Sequence, residues 1–334
     1  MISVIVPVYN DKEHITRCLD SIYACDYQDE FEVIIVDDAS SDGLKDAIAS
    51  FPCRFIRREK NSGPGAARNL GAGIAKGEIL AFVDSDCIVP KGWMKIIDNI
   101  FTDGKTQAIA GKFSMNLAPG FIARFRYYES SFYMLSDKTQ VNTFTASSFA
   151  CRKGLFLKAG GFGDRYAAEE ITLGYRLRKM GYDIFRVPEF VVAHHCLSTL
   201  TGYLKQQFIW MKNFFIVCQL YPEMLHYKGL TGKRNLIFQI LLELLFILGA
   251  ALLLISNKAL LLIPFFLLVL SVMLLLNFKF LRYIKLEERG NLPVLKSIFA
   301  IFVRNFVWTA AVLCGIRPKR IISFLSRVSS EGPI

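Results

Sequence analysis

The residues best placed to do chemistry are Asp84-Ser85-Asp86, which stand where the apolar run 79–83 stops. Two carboxylates one residue apart, at the mouth of a buried strand, add little to a core. They offer hard oxygen ligands to a divalent cation, and such a cation can hold a diphosphate. A lone D-x-D is also common in solvated turns, so its meaning depends on what stands at the neighbouring strand ends.

Those ends are rich in ligand-shaped residues. Pro7-Val8-Tyr9-Asn10-Asp11 closes the first apolar run. Pro7 has no amide donor to lose, Tyr9 presents a flat face for a base, and Asp11 can bind a base or a ribose, although the same residues make ordinary turns. Asp37-Asp38-Ala39-Ser40-Ser41-Asp42-Gly43 follows the second. Carboxylates after a parallel strand suit ribose hydroxyls or a base N–H. Ser41 or Asp42 is expected to cap the next helix, which leaves Asp37 and Asp38 without a structural duty. Asn61-Ser62-Gly63-Pro64-Gly65-Ala66-Ala67-Arg68-Asn69 is a glycine-rich helix entry that lets backbone approach a phosphate, with Arg68 as a planar cation. Gly71, Gly73 and Gly77 come after that helix has begun and read as close packing and a helix stop. No G-x-x-x-x-G-K-[ST] occurs, which excludes a P-loop.

Further on, Gly160-Gly161-Phe162-Gly163-Asp164 leads to Glu169-Glu170 at the start of an amphipathic helix. The helix dipole favours acids there with or without a substrate. His194-His195 ends the run 190–193, where an imidazole can cap a strand or join the metal; His194 is the candidate ligand.

The elements that must position these residues alternate. Residues 2–6, 32–36, 54–57 and 79–83 read as strands, and 11–24, 44–51 and 64–75 as helices, the last with Pro64 in its first turn. Such alternation predicts an α/β fold, a mostly parallel sheet with helices on both faces. Ligands bind outside the carboxyl ends of such strands, where every cluster above falls.

Composition divides the chain. Of 334 residues 53% are hydrophobic, and the mean hydropathy is +0.35. Residues 1–215 read as a globular domain and 216–235 as a juxtamembrane linker. The stretches 236–255 and 259–276 are long enough, at about 1.5 Å per residue, to span a bilayer as a transmembrane helical hairpin. Lys233 and Arg234 precede the pair while Lys279, Arg282 and Lys285 follow it, so the positive-inside rule puts both outer ends, and the N-terminal domain, on the cytoplasmic face of a multi-pass protein. Gln239 and Glu243, one turn apart within the first span, suggest helix–helix contact or a homo-oligomer, more than transport. Residues 277–334 form a basic tail in which 297–316, carrying Arg304 and Asn305, reads as an interfacial helix ahead of a third span. The net charge of +11 sits largely in this half, pointing to anionic lipid, with nucleic acid excluded as a partner. The chain opens without a signal-peptide pattern, and its eight cysteines show no C-x-x-C pair, so reduced and mostly buried thiols are expected.

Taken in order, Val6 to Asn10, Val36 to Ser40, Asn61 to Asn69, Asp84-Ser85-Asp86, Gly160-Gly161-Phe162 and Glu169-Glu170 with Leu173 and Arg176 resemble the family 2 glycosyltransferases, whose fold is GT-A. The resemblance covers residues 1–215. It implies inverting transfer of a sugar from a UDP- or GDP-sugar to a lipid-linked or glycan acceptor. It further implies that Pro7, Tyr9, Asp11, Asp37, Asp38, Asn61, Gly63, Arg68 and Asp84 hold the nucleotide sugar. Asp84 and Asp86, with His194, would bind Mg²⁺ or Mn²⁺, and Glu170 beside Glu169 would be the catalytic base.

Two departures stand out. The family has Glu-Asp where this chain has Glu169-Glu170, which lengthens the base by a methylene. Processive synthases carry Q-x-x-R-W, whereas here Ile209 precedes Trp210 in place of Arg. That loses a bidentate cation and favours non-processive transfer over a polysaccharide synthase. A non-catalytic nucleotide-sugar-binding membrane scaffold is the alternative outside enzymes.

Overall fold

The computed structural model describes residues 1–134, 140–141, 143–163, 168–222, 233–255, 259–288 and 290–315. Asp164, half of the expected linker, the hairpin turn at 256–258 and the basic residues from 316 onward lie outside these. The chain divides into two compact units, Met1–Leu197 and Ser198–Ile334. The unit boundary lies at residue 197, and the helix that follows, Leu200–Leu220, packs against the helix Asn291–Gly315.

The first unit runs β1 (Ile2–Val8), α1 (Lys12–Tyr23), β2 (Phe31–Asp37), α2 (Leu44–Ala47), β3 (Arg54–Arg57), α3 (Pro64–Ile74), β4 (Ile79–Phe82), β5 (Cys87–Ile88), α4 (Trp93–Phe101), β6 (Ala108–Asn116), α5 (Phe121–Met134), β7 (Gln140–Val141), β8 (Phe149–Arg152), α6 (Lys153–Lys158), α7 (Glu169–Lys179) and β9 (Ile184–His194). The alternation expected through residue 83 is present. The helix expected over 44–51 is a single turn. Pro52 disfavours helical backbone at Phe51, and the chain closes instead with the Phe51 amide donating to the Ile48 carbonyl at 3.0 Å. Neither Ser41 nor Asp42 caps that turn, which starts from Gly43 at φ +79°.

Among the described residues the strands form one sheet in the order β3-β2-β1-β4-β8-β6-β9-β5, with β7 beside β9. β1 to β4 are parallel. β8 enters antiparallel between β4 and β6, and β5 lies antiparallel to β9. From β1 the order steps outward to β2 on one side and to β4 on the other, which makes the carboxyl ends of β1 and β4 a topological switch point.

The sheet is buried on both faces. Val4, Val6 and Val8 of β1 pack with Ile15, Leu19 and Ile22 of α1 and with Trp93 and Ile97 of α4. Ile5 points the other way, toward Ala67 and Ala72 of α3, Phe156 of α6 and Leu173 and Leu177 of α7. This is the period-two alternation of a strand covered on both sides. Gly71 lets α3 approach closely, since a Cβ there would lie 2.6 Å from Ile5 Cγ2.

The second unit contains α8 (Leu200–Leu220), α9 (Lys233–Ile255), α10 (Ala259–Leu276), α11 (Phe278–Glu288) and α12 (Asn291–Gly315). α9 and α10 pair as a helical hairpin, and α12 packs against α8, α9 and α11. Arg304 and Asn305, the polar pair of α12, turn inward. Arg304 is 1% exposed, donates to Gln239 Oε1 and Asn305 Oδ1 at 3.0 Å each, and lies 4.0 Å over the Trp308 ring. Trp308 in turn donates to Gln207 Oε1 of α8 at 2.9 Å. Among the described residues α12 is long and apolar enough to cross a membrane by length and composition, whereas α10 from Ile263 passes only together with α11, bent by 63°. Phe238, Leu241, Leu248, Leu267, Leu268, Leu275, Leu295 and Phe299 of these helices are exposed. Soluble monomers rarely show so much large apolar surface in one region.

Candidate active site

The carboxyl ends of β1 and β2 are stitched to each other by their loops. Asn10 donates its amide to Ser40 Oγ at 2.9 Å and accepts the Ser41 amide on Oδ1 at 2.8 Å. Lys12 donates its amide to Asp42 Oδ2 at 2.9 Å. Asn10 and Ala39 adopt φ of +50° and +70°, left-handed backbone that is uncommon outside glycine.

Asp37 and Asp38 are buried in this scaffold. Asp37 accepts the Ser40 amide at 2.7 Å and the Arg57 guanidinium at 2.8 Å. Asp38 accepts the amides of Ser62, at 3.1 Å, and Gly63, at 2.7 Å, and so pins the glycine-rich loop that opens α3. The structural duty that sequence left open for both acids is therefore supplied by the chain's own backbone and Arg57.

Arg68 is the hub of the site. Just over one turn into α3, it pairs through Nη2 with Asp84 Oδ1 just past the end of β4. Its Nη1 stands 3.6 Å from Glu169 Oε1 at the start of α7, and its Cζ lies 5.3 Å over the Phe162 ring. Close approach of α7 to α3 depends on Gly65, where a Cβ would lie 2.9 Å from the Gly163 carbonyl and 3.1 Å from Glu169 Cβ. Asn69 clamps the turn between them, donating to the Phe162 carbonyl at 3.1 Å and accepting the Phe162 amide at 2.9 Å. Gly161 at φ +64° makes room for that amide.

Three carboxyl groups crowd one guanidinium. Burial alone would lower the Arg68 pKa, but Asp84, Glu170 and Glu169 outweigh it and hold the group above its ordinary value. Burial pushes Glu169 up to about 8, the Glu170 charge adds to the shift and Arg68 opposes it. Glu170, half-buried, is also raised, first by burial and then by Asp84, against the pull of Arg68. Acids raised toward neutral pH are suited to proton transfer.

Asp86 faces the other way from its neighbour. β5 pairs with β9 so that Cys87 stands opposite His194, which sets His194 Nε2 3.2 Å from Asp86 Oδ2. Asp86, Cys87 and His194 gather their ligand atoms closely enough to share an ion. An open carboxylate and an imidazole form a donor set that suits Mn²⁺ or Mg²⁺ when substrate oxygens complete it, and the Cys87 thiol, fully buried and pushed well up by that burial, is not a hard-cation ligand. Burial would lower the His194 pKa, but Asp86 raises it to about 10, so the ring must give up a proton to take a cation. His194 stacks on Phe113 at 4.6 Å between centroids.

Asp11 links the two clusters. Its Oδ2 accepts from Ser85 Oγ, the middle residue of the D-S-D, at 2.6 Å. Its Oδ1 meets His14 Nδ1 at 2.5 Å, and the His14 ring lies 4.3 Å from that of His195. His14 was not singled out in the sequence; its signal is the i, i+3 spacing from Asp11 on α1.

The structure thus brings together Arg68, Asp84, Glu169 and Glu170, and next to them Asp86, His194 and Asp11. Tyr9, 51% exposed, and Asn61 stand open at the loop surface. Pro7 is buried in β1 opposite Val36 and, like Asp37, presents nothing to a cleft; the Gly63 amide is spent on Asp38.

The family profile described as Glycosyl transferase family 2 matches residues 3–159. Residues 3–159 belong to glycosyl transferase family 2. The matched residues include the ends of β1, β2 and β4 described above but not Phe162, α7 or β9. The probable glycosyltransferase YdaM of Bacillus subtilis is 25% identical over 257 residues, covering 72% of this chain and 60% of its own length. Glycosyltransferase AglE of Haloferax volcanii is 31% identical over 132 residues, 38% of this chain and 43% of its own. The chain therefore spans 60% or less of these curated relatives. Among solved structures, the mannosyltransferase PcManGT from Pyrobaculum calidifontis, in complex with GDP-Man and Mn²⁺, superposes with a TM-score of 0.61 at 20% identity over 91% of this chain and 86% of that one. At that identity the likeness is one of fold, and the fold is GT-A.

Proposed function

We propose that this chain is a membrane-attached, metal-dependent glycosyltransferase that moves one sugar, with inversion, from a UDP- or GDP-sugar to a lipid-linked or membrane-proximal acceptor. The observation that carries the reading is the convergence of Arg68, Asp84, Glu169 and Glu170 beside the Asp86–His194 pair at the topological switch point. A site with paired acids raised toward neutrality, a buried guanidinium and an oxygen–nitrogen donor pair suits the departure of a diphosphate.

In this reading Asp86 and His194 hold Mg²⁺ or Mn²⁺, which would neutralise the departing nucleoside diphosphate. Tyr9 offers its ring to the base. Glu169 holds Arg68, and Arg68 holds Asp84 at the mouth of β4. Glu170 accepts the proton of the acceptor hydroxyl as that oxygen bonds to the anomeric carbon from the face opposite the diphosphate. Inversion is the consequence. Attachment to the membrane is supported by the exposed apolar side chains of α9 to α12, and the flanking Lys233, Arg234, Lys279, Arg282 and Lys285 favour a cytoplasmic catalytic domain. Ile209 in place of Arg favours single transfer over processive elongation.

The test is release of nucleoside diphosphate by the purified full chain from a panel of UDP- and GDP-sugars with Mn²⁺. Glu170→Gln should keep donor binding and lower turnover by about 10²–10⁴-fold. Unchanged turnover in Glu170→Gln would remove the base assignment, and unchanged turnover in Asp86→Ala would remove the metal assignment.

A further inference from the structure

Asp11 stands at the N-cap of α1, where an aspartate ordinarily accepts a backbone amide of the first turn. Among the described residues its side chain makes no such bond. The carboxylate is diverted. Its Oδ2 accepts from Ser85 Oγ at 2.6 Å, and its Oδ1 accepts from His14 Nδ1 at 2.5 Å, with the imidazole as donor because a carboxylate only accepts. Giving up a cap costs helix stability, and what the chain gains in return is a hold on Ser85.

Ser85 is the middle residue of the D-S-D and 8% exposed. It lies in a tight turn that the Cys87 amide closes onto the Asp84 carbonyl at 3.0 Å. The acids on either side of it diverge. Asp84 pairs with Arg68 of α3, and Asp86 stands 3.2 Å from His194 of β9. β9 holds the turn through the His195 amide, which donates to the Asp86 carbonyl at 2.9 Å. α1 holds it through Asp11 and Ser85 Oγ. His14 fixes the orientation of the Asp11 carboxylate, and its ring packs against that of His195 at 4.3 Å between centroids. Holding the middle residue restrains the backbone dihedrals between the two acids, and with them the directions in which the acids point.

We propose that Asp11 and Ser85 are positioning residues, whose hydrogen bond sets the D-S-D turn so that Asp86 meets His194 at a divalent cation while Asp84 stays on Arg68. This role presupposes that Asp86 and His194 hold the cation. Asp11 thereby serves the turn, where the family resemblance implies nucleotide binding. Equilibrium Mn²⁺ binding to the detergent-purified full chain, followed by manganese paramagnetic resonance with UDP and separately with GDP, tests it. Ser85→Ala and Asp11→Ala should each weaken Mn²⁺ binding by about 10–100-fold, as loss of an outer support does at other metal sites. The double variant should lose no more than either alone, because the same bond is absent from all three. Asp11→Asn should stay within about threefold of the wild type, since its Oδ1 still accepts from Ser85 Oγ. Melting temperatures are measured alongside, because a merely structural bond would lower them and leave Mn²⁺ affinity unchanged. Asp11→Ala serves if Ser85→Ala does not fold. Undiminished Mn²⁺ binding by the alanine variants, or a loss in Asp11→Asn as large as in Asp11→Ala, would overturn the proposal and leave the Asp86–His194 cation site standing. A wild-type chain that binds no Mn²⁺ with either nucleotide would remove both.

Discussion

Arg68 Nη1 stands 3.6 Å from Glu169 Oε1, with each side chain only 3% exposed. At pH 9, where Glu169 is largely ionised, removing one member of this buried pair leaves the other charge uncompensated. Arg68→Met should therefore destabilise the first unit by about 3–5 kcal/mol. Adding Glu169→Gln should restore a large part of that loss, because the stranded charge is gone. Denaturant unfolding of the two single variants and the double variant measures the coupling. Strictly additive effects would mean that the two residues do not interact.

The same acid sets a pH dependence. The folded-state pKa of Glu169, about 8, lies above its ordinary value of 4.5. Its contribution to stability is thus fully present below pH 4.5 and is lost as pH rises through about 8, where burial opposes ionisation. The wild type should lose stability relative to Glu169→Gln between pH 5 and pH 9, by on the order of 1 kcal/mol or more. Parallel melting curves across that range would contradict the assignment.

Gly65→Ala should cost more than the removal of a flexible residue suggests. Its Cβ would press on the Gly163 carbonyl and on Glu169 Cβ, both at the start of α7, where the neighbours give only by moving the helix. Overpacking of this kind costs about 1–3 kcal/mol. Because the displaced element carries Glu169 and Glu170, donor turnover should fall further than the melting temperature indicates. Gly73→Ala on the same helix meets nothing within 4 Å and is the matched control, expected to melt as the wild type does.

Divalent-cation affinity should depend on β9 as well as on the D-S-D. His194→Ala should weaken Mn²⁺ binding in the presence of a nucleoside diphosphate by about 10–100-fold, as loss of a supporting imidazole does in other metal sites. His195→Ala should have a smaller effect, since the His195 ring lies tilted against that of His14 and is not part of the Asp86–Cys87–His194 group. Manganese paramagnetic resonance on the two variants separates these outcomes. Equal losses would argue against His194 as the ligand.

The parallel half of the sheet was legible because β1, β2 and β3 are each followed by a helix, and both periods are local. β5, β8 and β9 were not. Two of them are four residues or fewer, and their places come from partners far along the chain. In the site, Glu169-Glu170 and Asp84-Ser85-Asp86 stood out because acids at helix starts and strand mouths are conspicuous. Asp37 and Asp38 stood out for the same reason, yet they serve backbone amides and Arg57. A carboxylate at a strand end looks alike in sequence whether chain or ligand fills it. Arg304 was conspicuous as a charge within an apolar helix. That it would turn inward was not legible, because Gln239 and Trp308 become its neighbours only when α9 and α12 pack.

β9 is the last strand to be made, and it alone carries His194 to the register position opposite Cys87. A nascent chain that has emerged only through α4 holds both acids of the D-S-D but lacks the imidazole, α7 and its glutamates. Such a fragment can build the parallel half of the sheet from local contacts, which form quickly, while closing the far edge waits on slower, long-range pairing. If Asp86 and His194 hold the cation as proposed, competence for the donor is withheld during synthesis until the sheet's far edge is in place, and an unfinished chain has no means of consuming it.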